Sequence, residues 1–146
     1  MTRLEASVLI NKSPEDIFAF FSVPENHAKF IPGMLEFKKT SAGPLGQVGA
    51  TARGIRRDLG LRWDVLYEIT EFQPNDHLGM KGVMGPINFK DGYVLEPQGS
   101  STRVKFWLEL TLNGLAKLAQ PFIALIGKTH AHETLANLKN QLESPR

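Results

Sequence analysis

Between residues 34 and 112 the chain is cut into six short segments of strand-like spacing, with a turn signal between each and the next. The segments are Met34–Thr40, Val48–Asp58, Leu61–Phe72, His77–Met84, Ile87–Glu96 and Arg103–Leu112. The turns are Gly43-Pro44-Leu45-Gly46, Leu59-Gly60, Pro74-Asn75-Asp76, Gly85-Pro86 and Gln98-Gly99-Ser100. Connections this short make neighbouring strands antiparallel, because parallel neighbours need long crossovers. The last segment is the cleanest: Val104, Phe106, Leu108, Leu110 and Leu112 share one face, and Arg103, Lys105 and Glu109 the other.

The flanks add one strand and the helices. Leu4, Ala6, Val8 and Ile10 alternate with more polar neighbours and predict a first strand over 3–11. Ser13-Pro14-Glu15-Asp16 predicts a helix start: a serine cap, proline in the first turn and acids at the positive end of the dipole. A second short helix is expected from Pro24-Glu25-Asn26 until Pro32-Gly33 stops it. A long helix is expected from Leu115 to Leu142, with a bend or break at Pro121. Its second half carries a stripe of Ala131, Leu135, Leu138 and Leu142. Its first half is apolar nearly all round, so cover on several sides is expected.

With 146 residues, the chain is expected to form a single domain over residues 1–146. The order β-α-α-β-β-β-β-β-β-α predicts an α+β fold in which a curved seven-stranded antiparallel sheet wraps a long C-terminal helix. One helix does not fill the concavity of seven strands, so a cavity of roughly 300–1,000 Å³ is expected between them.

These elements resemble the START-like, Bet v 1-like (SRPBCC) superfamily of helix-grip proteins, and within it the bacterial polyketide cyclase/dehydrase-like branch. The resemblance rests on Ser13-Pro14-Glu15-Asp16-Ile17-Phe18, Ile31-Pro32-Gly33 and the segment Gly43 to Gly49. Tyr67 to Pro74, Asp91 to Pro97 and Thr102-Arg103-Val104 complete it, so it covers almost the whole chain. It implies a cavity for a small hydrophobic molecule such as a lipid, a polyketide or an aromatic compound. Members also include cyclases and dehydratases, which makes an acid–base enzyme the alternative, and a lipid or quinone chaperone the third reading.

The candidate site residues follow from strand parity. Arg53, Tyr67, Asp91 and Tyr93 are the polar groups expected to orient a ligand; Trp63, Phe89, Phe106, Leu108, Phe122 and Ile126 supply apolar wall. Asp91 shares parity with Phe89 and Tyr93, so Asp91 and Tyr93 are the pair expected to move protons if there is catalysis. Asp64 and Glu68 alternate with Trp63, Val65 and Tyr67 and are expected outside. The helix around Pro121–Gly127 and the loop Gly82–Pro86 are the expected gate.

Other chemistries find little support. There is no cysteine, hence no disulfide and no thiolate. His130 and His132, two apart on a helix, point about 200° from each other and do not share an ion. Both are expected to be solvated, with no metal site. Gly43, Gly46 and Gly49 lack the Lys-Ser/Thr pair of a phosphate loop. No cofactor is expected. A net charge of +2 is too mild to imply nucleic acid. Glu5 and the lack of a long apolar run leave no expected signal peptide or membrane span, so a cytoplasmic setting is expected, with a homodimer and transient membrane contact left open.

Overall fold

The computed structural model describes residues 2–42, 46–58 and 60–144. The turn signals at Gly43, Pro44, Leu45 and Leu59 lie outside the described residues. Strand β1 (Thr2–Ile10) leads into helix α1 (Pro14–Phe21), a 3₁₀ turn (Pro24–Asn26) and the short helix α2 (His27–Phe30). Then come β2 (Met34–Lys39), β3 (Thr51–Asp58), β4 (Leu61–Gln73), β5 (His77–Met84), β6 (Ile87–Gln98) and β7 (Ser101–Leu112). A 3₁₀ helix (Gly114–Ala119) precedes the long helix α3 (Gln120–Glu143).

All seven strands form one antiparallel sheet in the order β1-β7-β6-β5-β4-β3-β2. The six later strands are a meander, as the turn spacing requires. The two short helices carry the chain from β1 to the far edge at β2. Ser13 caps α1 as expected, its Oγ accepting from the Asp16 amide at 3.1 Å.

Period-two alternation holds through the central strands. Val65, Tyr67 and Ile69 of β4, Asp91, Tyr93 and Leu95 of β6, and Val104, Phe106 and Leu108 of β7 are all buried. Phe18, Phe20, Phe21 and Phe30 of the short helices close one end of this concave face. Their rings continue into the sheet: Phe21 to Tyr93 at 4.8 Å between centroids, and Tyr93 to Phe106 at 5.0 Å.

Helix α3 grips the sheet along a single stripe. Gly127, Ala131, Thr134, Leu135 and Leu138 are buried, and α3 packs on β1 and β7. At Gly127 the fit is tightest, since a Cβ there would stand 2.7 Å from Leu4 Cδ1 and 2.9 Å from Leu110 Cδ1. The expected break at Pro121 takes another form: the 3₁₀ helix ends at Ala119 and the α-helix begins at Gln120, so Pro121 stands in the first turn of an α-helix that runs on unbroken. There the missing N–H has no intrahelical partner to lose.

One expectation fails. Leu115 and Leu118 are 88% and 86% exposed, and Phe122 and Leu125 are 62% and 63% exposed. The apolar first half of the helical segment is not covered all round. The sheet offers one concave face, and once Ile123, Ile126 and Gly127 turn toward it the opposite side has nothing to pack on.

Leu138 is fully buried in the stripe. We expect Leu138→Ala to cost about 2–5 kcal/mol in urea unfolding. A loss below about 1 kcal/mol would show that α3 is not what closes the core.

Candidate functional site: a cavity with one polar wall

Between the concave sheet and the first turns of α3 lies a cavity. Its walls are Tyr67, Met84, Ile87, Phe89, Asp91, Tyr93, Phe106, Leu108 and Leu110 from the sheet, Ile31, and Ile123, Ile126, Gly127 and His130 from the helical side. Arg56 and Asp58 of β3 complete the lining. Tyr93 and Phe106 are buried at the inner end, whereas Met84, Ile87, Ile123 and Ile126 are half-buried. The mouth therefore opens between the β3–β4 tip, the β5–β6 tip and the start of α3.

The space open to the centre of a water molecule is about 80 Å³, within about 750 Å³ of non-atom space that includes the mouth. That is smaller than the expected cavity of roughly 300–1,000 Å³. The space has room for several waters or a small ligand. The start of α3 is fastened by Gln120, whose amide donates to the Leu110 carbonyl (3.1 Å) and accepts from the Leu112 amide (3.3 Å).

Seven of the ten residues proposed from sequence meet at this cavity: Tyr67, Phe89, Asp91, Tyr93, Phe106, Leu108 and Ile126. Three do not. Arg53 lies on the outer face, 51% exposed and paired with Asp64 at 2.7 Å, because its neighbours Ala52 and Gly54 take the inward positions of β3. Phe122 points to solvent, as above. Trp63 has inward parity but stands beyond the rim. Its indole Nε1 donates to the Asp58 carbonyl at 3.2 Å and its ring packs against Gly85, tying the two hairpin tips together.

Three polar residues of the site, Arg56, its partner Asp58 and His130, escape the sequence reading. Arg56 continues the inward parity of Ala52 and Gly54; its Nη2 donates to Asp58 at 2.9 Å and its Nε is buried with no partner. The alternation is legible, but Arg56 stands with Arg53, Arg57 and Arg62 in one hairpin, and a run so basic looks solvated. His130, expected to be solvated, lines the cavity one turn beyond Ile126. His132 is exposed. Among the described residues no group of three or more His, Cys, Asp or Glu could hold a metal ion.

The polar wall is electrically unusual. Asp91 is only 9% exposed, its Oδ1 has no hydrogen-bond partner, and no register shift turns it outward despite the adjacent Gly92. Burial raises its pKa to about 7, with Arg56 pulling the other way. Burial lowers His130 to about 3, and Arg56 adds to that. Burial also raises the Tyr67 and Tyr93 phenols, with the Asp91 charge adding to it. Near neutrality the site thus presents a carboxyl poised to give or accept a proton, a neutral imidazole, two neutral phenols and one guanidinium.

With this geometry the family can be read. The model of the family "Polyketide cyclase / dehydrase and lipid transport" matches residues 1–143. The chain belongs to this family. Solved structures of the same fold include a START superfamily protein from Mycobacterium smegmatis, at TM-score 0.83 and 13% identity over 97% of each chain. TTHA0849 from Thermus thermophilus superposes at TM-score 0.81 and 15% identity, again over 97% of each chain. The Zhui aromatase/cyclase from a Streptomyces species does so at TM-score 0.81 and 8% identity, over 97% of this chain and 93% of that one. At these identities the likeness is one of fold. No curated protein matches the chain.

The raised pKa of Asp91 has a consequence for stability. Its folded pKa exceeds the unfolded one, so its contribution favours folding below the ordinary value of 3.8 and is lost as pH rises through about 7. His130 and the buried His27, lowered to about 3 and about 4, run oppositely: their contribution is present above 6.5 and lost as pH falls through those values. Asp91→Asn removes only the first. We expect the variant to be more stable than wild type at about pH 8, by up to a few kcal/mol, since a tenfold change in proton affinity is worth about 1.4 kcal/mol. The gain should vanish near about pH 4. Urea unfolding across that range checks it, and a gain that does not change with pH contradicts the assignment.

Proposed function

We propose that this protein binds a small, mainly apolar molecule carrying one oxygen-bearing polar group, such as a lipid, polyketide or aromatic compound. The observation that carries the reading is a cavity walled by apolar and aromatic side chains with its polar groups gathered together, Arg56, Asp91, Tyr67, Tyr93 and His130. Apolar burial supplies affinity at about 25 cal/mol per Å². The polar wall orients the ligand: a carbonyl, hydroxyl or carboxylate oxygen accepts from Arg56 Nε, and a ligand hydroxyl donates to the unpartnered oxygen of Asp91. Entry is by the mouth, with the Gln120 contacts to β7 released as α3 moves outward.

A second reading has its own support. Asp91 and His130 line the same cavity, a carboxyl that titrates near neutrality and an imidazole kept neutral. A cyclase or dehydratase needs such a pair, one to deliver a proton and one to remove it. On this reading Tyr93 holds a substrate oxygen beside Asp91.

Native mass spectrometry of freshly purified protein tests the first reading. A retained small molecule is expected, and Arg56→Ala should weaken its retention by about tenfold or more, the worth of a hydrogen bond to a charged group. Arg53→Ala, on the outer face, should leave it unchanged. Equal effects of the two variants would remove the polar wall from the account. Asp91→Asn and His130→Ala separate the readings: a carrier keeps its ligand with no turnover in any variant, whereas an enzyme loses turnover while still binding.

A further inference from the structure

Exposed apolar side chains recur along the start of the last helical segment, from Leu115 to Leu125, as a strip in the sequence. Leu115 and Leu118 are three apart in the 3₁₀ helix, which places them on one side. Phe122 and Leu125 are three apart in the first turns of α3. All four are more than 60% exposed, the largest such run in the described chain. Leu125 shares a shallow outer surface with Arg56, Asp58, Ile126 and His130, which also line the cavity, so this end of the strip lies beside the mouth.

Charge around the strip has one sign along its own segment. From Asn113 to His132 there is no Asp or Glu, and the charged residues are Lys117 and Lys128, both exposed. Neither lysine is in an ion pair with a described residue. Arg57, exposed at the β3–β4 tip, faces the same shallow surface as Leu125. The acids that reach this surface are Asp58, which is paired with Arg56, and Glu133 at its far side.

We infer that this strip docks on the surface of an anionic lipid bilayer, with the leucines and Phe122 entering the headgroup boundary and the cations above them. Four large apolar side chains bordered by cations fit such a surface on both counts. A second copy of the chain fits worse, because a symmetric contact would bring Lys117 and Lys128 of each copy against those of the other. No helix among the described residues is long and apolar enough to cross a membrane, so the contact is peripheral. Docked this way, the start of α3, which forms one side of the mouth, lies at the lipid surface. The docking itself does not depend on what the cavity holds.

Vesicle flotation tests it. Wild type is expected to float with vesicles containing roughly a third phosphatidylglycerol, and not with phosphatidylcholine alone. The double variant L118S/F122S should bind about tenfold more weakly or worse. K117Q/K128Q should lose about fivefold per cation, and added salt should release the wild type. These side chains are exposed, and circular dichroism of each variant is expected to match wild type. Absence of wild-type flotation, or equal flotation of L118S/F122S, overturns the inference. So does a dimer in analytical ultracentrifugation that F122S dissolves, since the strip then belongs to a second copy. Ligand retention by the same variants in native mass spectra stays at the wild-type level if only docking is lost, which separates this failure from failure of the cavity reading.

Discussion

A helix that touches a curved sheet along one stripe sets most of what is distinctive here. Gly127, Ala131, Thr134, Leu135 and Leu138 hold α3 against β1 and β7 at one side of the concavity. Toward β4, β5 and β6 the helix draws no closer, and the room left over is the cavity. The same geometry leaves the far side of the first turns without a partner, so the exposed strip and the cavity mouth are two results of one packing choice. Gly127 fixes how near the helix comes at its start, because any side chain there would meet Leu4 and Leu110.

The enclosure then determines the chemistry. A carboxyl on β6 would be an ordinary anion in water, but buried between its register neighbours Met80 and Leu108 it resists ionisation. Arg56 supplies positive potential to Asp91, Tyr67 and His130 together, which is how one half-buried cation organises the wall. Its own charge is balanced by Asp58 at the mouth, where water reaches. A ligand that completed the free valences at Arg56 Nε and Asp91 Oδ1 would satisfy groups that otherwise carry a desolvation cost.

Most of the fold is legible because turns and period-two alternation are local signals. His77–Met84 matches the observed β5 residue for residue, and the inward set of β7 follows directly from alternation. Parity with Phe89 and Tyr93 alone places Asp91 inward. The misassignments share a cause: composition outweighs register in the reading of each. Arg53 looks central in its strand, yet Ala52, Gly54 and Arg56 carry the inward phase. His130 looks like half of a solvated pair, yet it follows Ile123 by seven residues and Ile126 by four, on the face that lines the cavity. Phe122 is apolar and so invites a covered position. Which side of a helix finds a partner is set by the sheet's shape, a long-range property that periodicity does not carry.

The protonation of Asp91 is the most direct measure of whether this interior is as dry and as closed as its walls imply. Carbon-13 NMR of the aspartate carboxyls, with Asp91 assigned by its loss in Asp91→Asn, follows that one group through pH. The account predicts a midpoint near 7 for Asp91, displaced well above the ordinary value of 3.8. A midpoint near that ordinary value would mean that water solvates the carboxylate freely, and the cavity would not be the enclosed, polar-ended site described here.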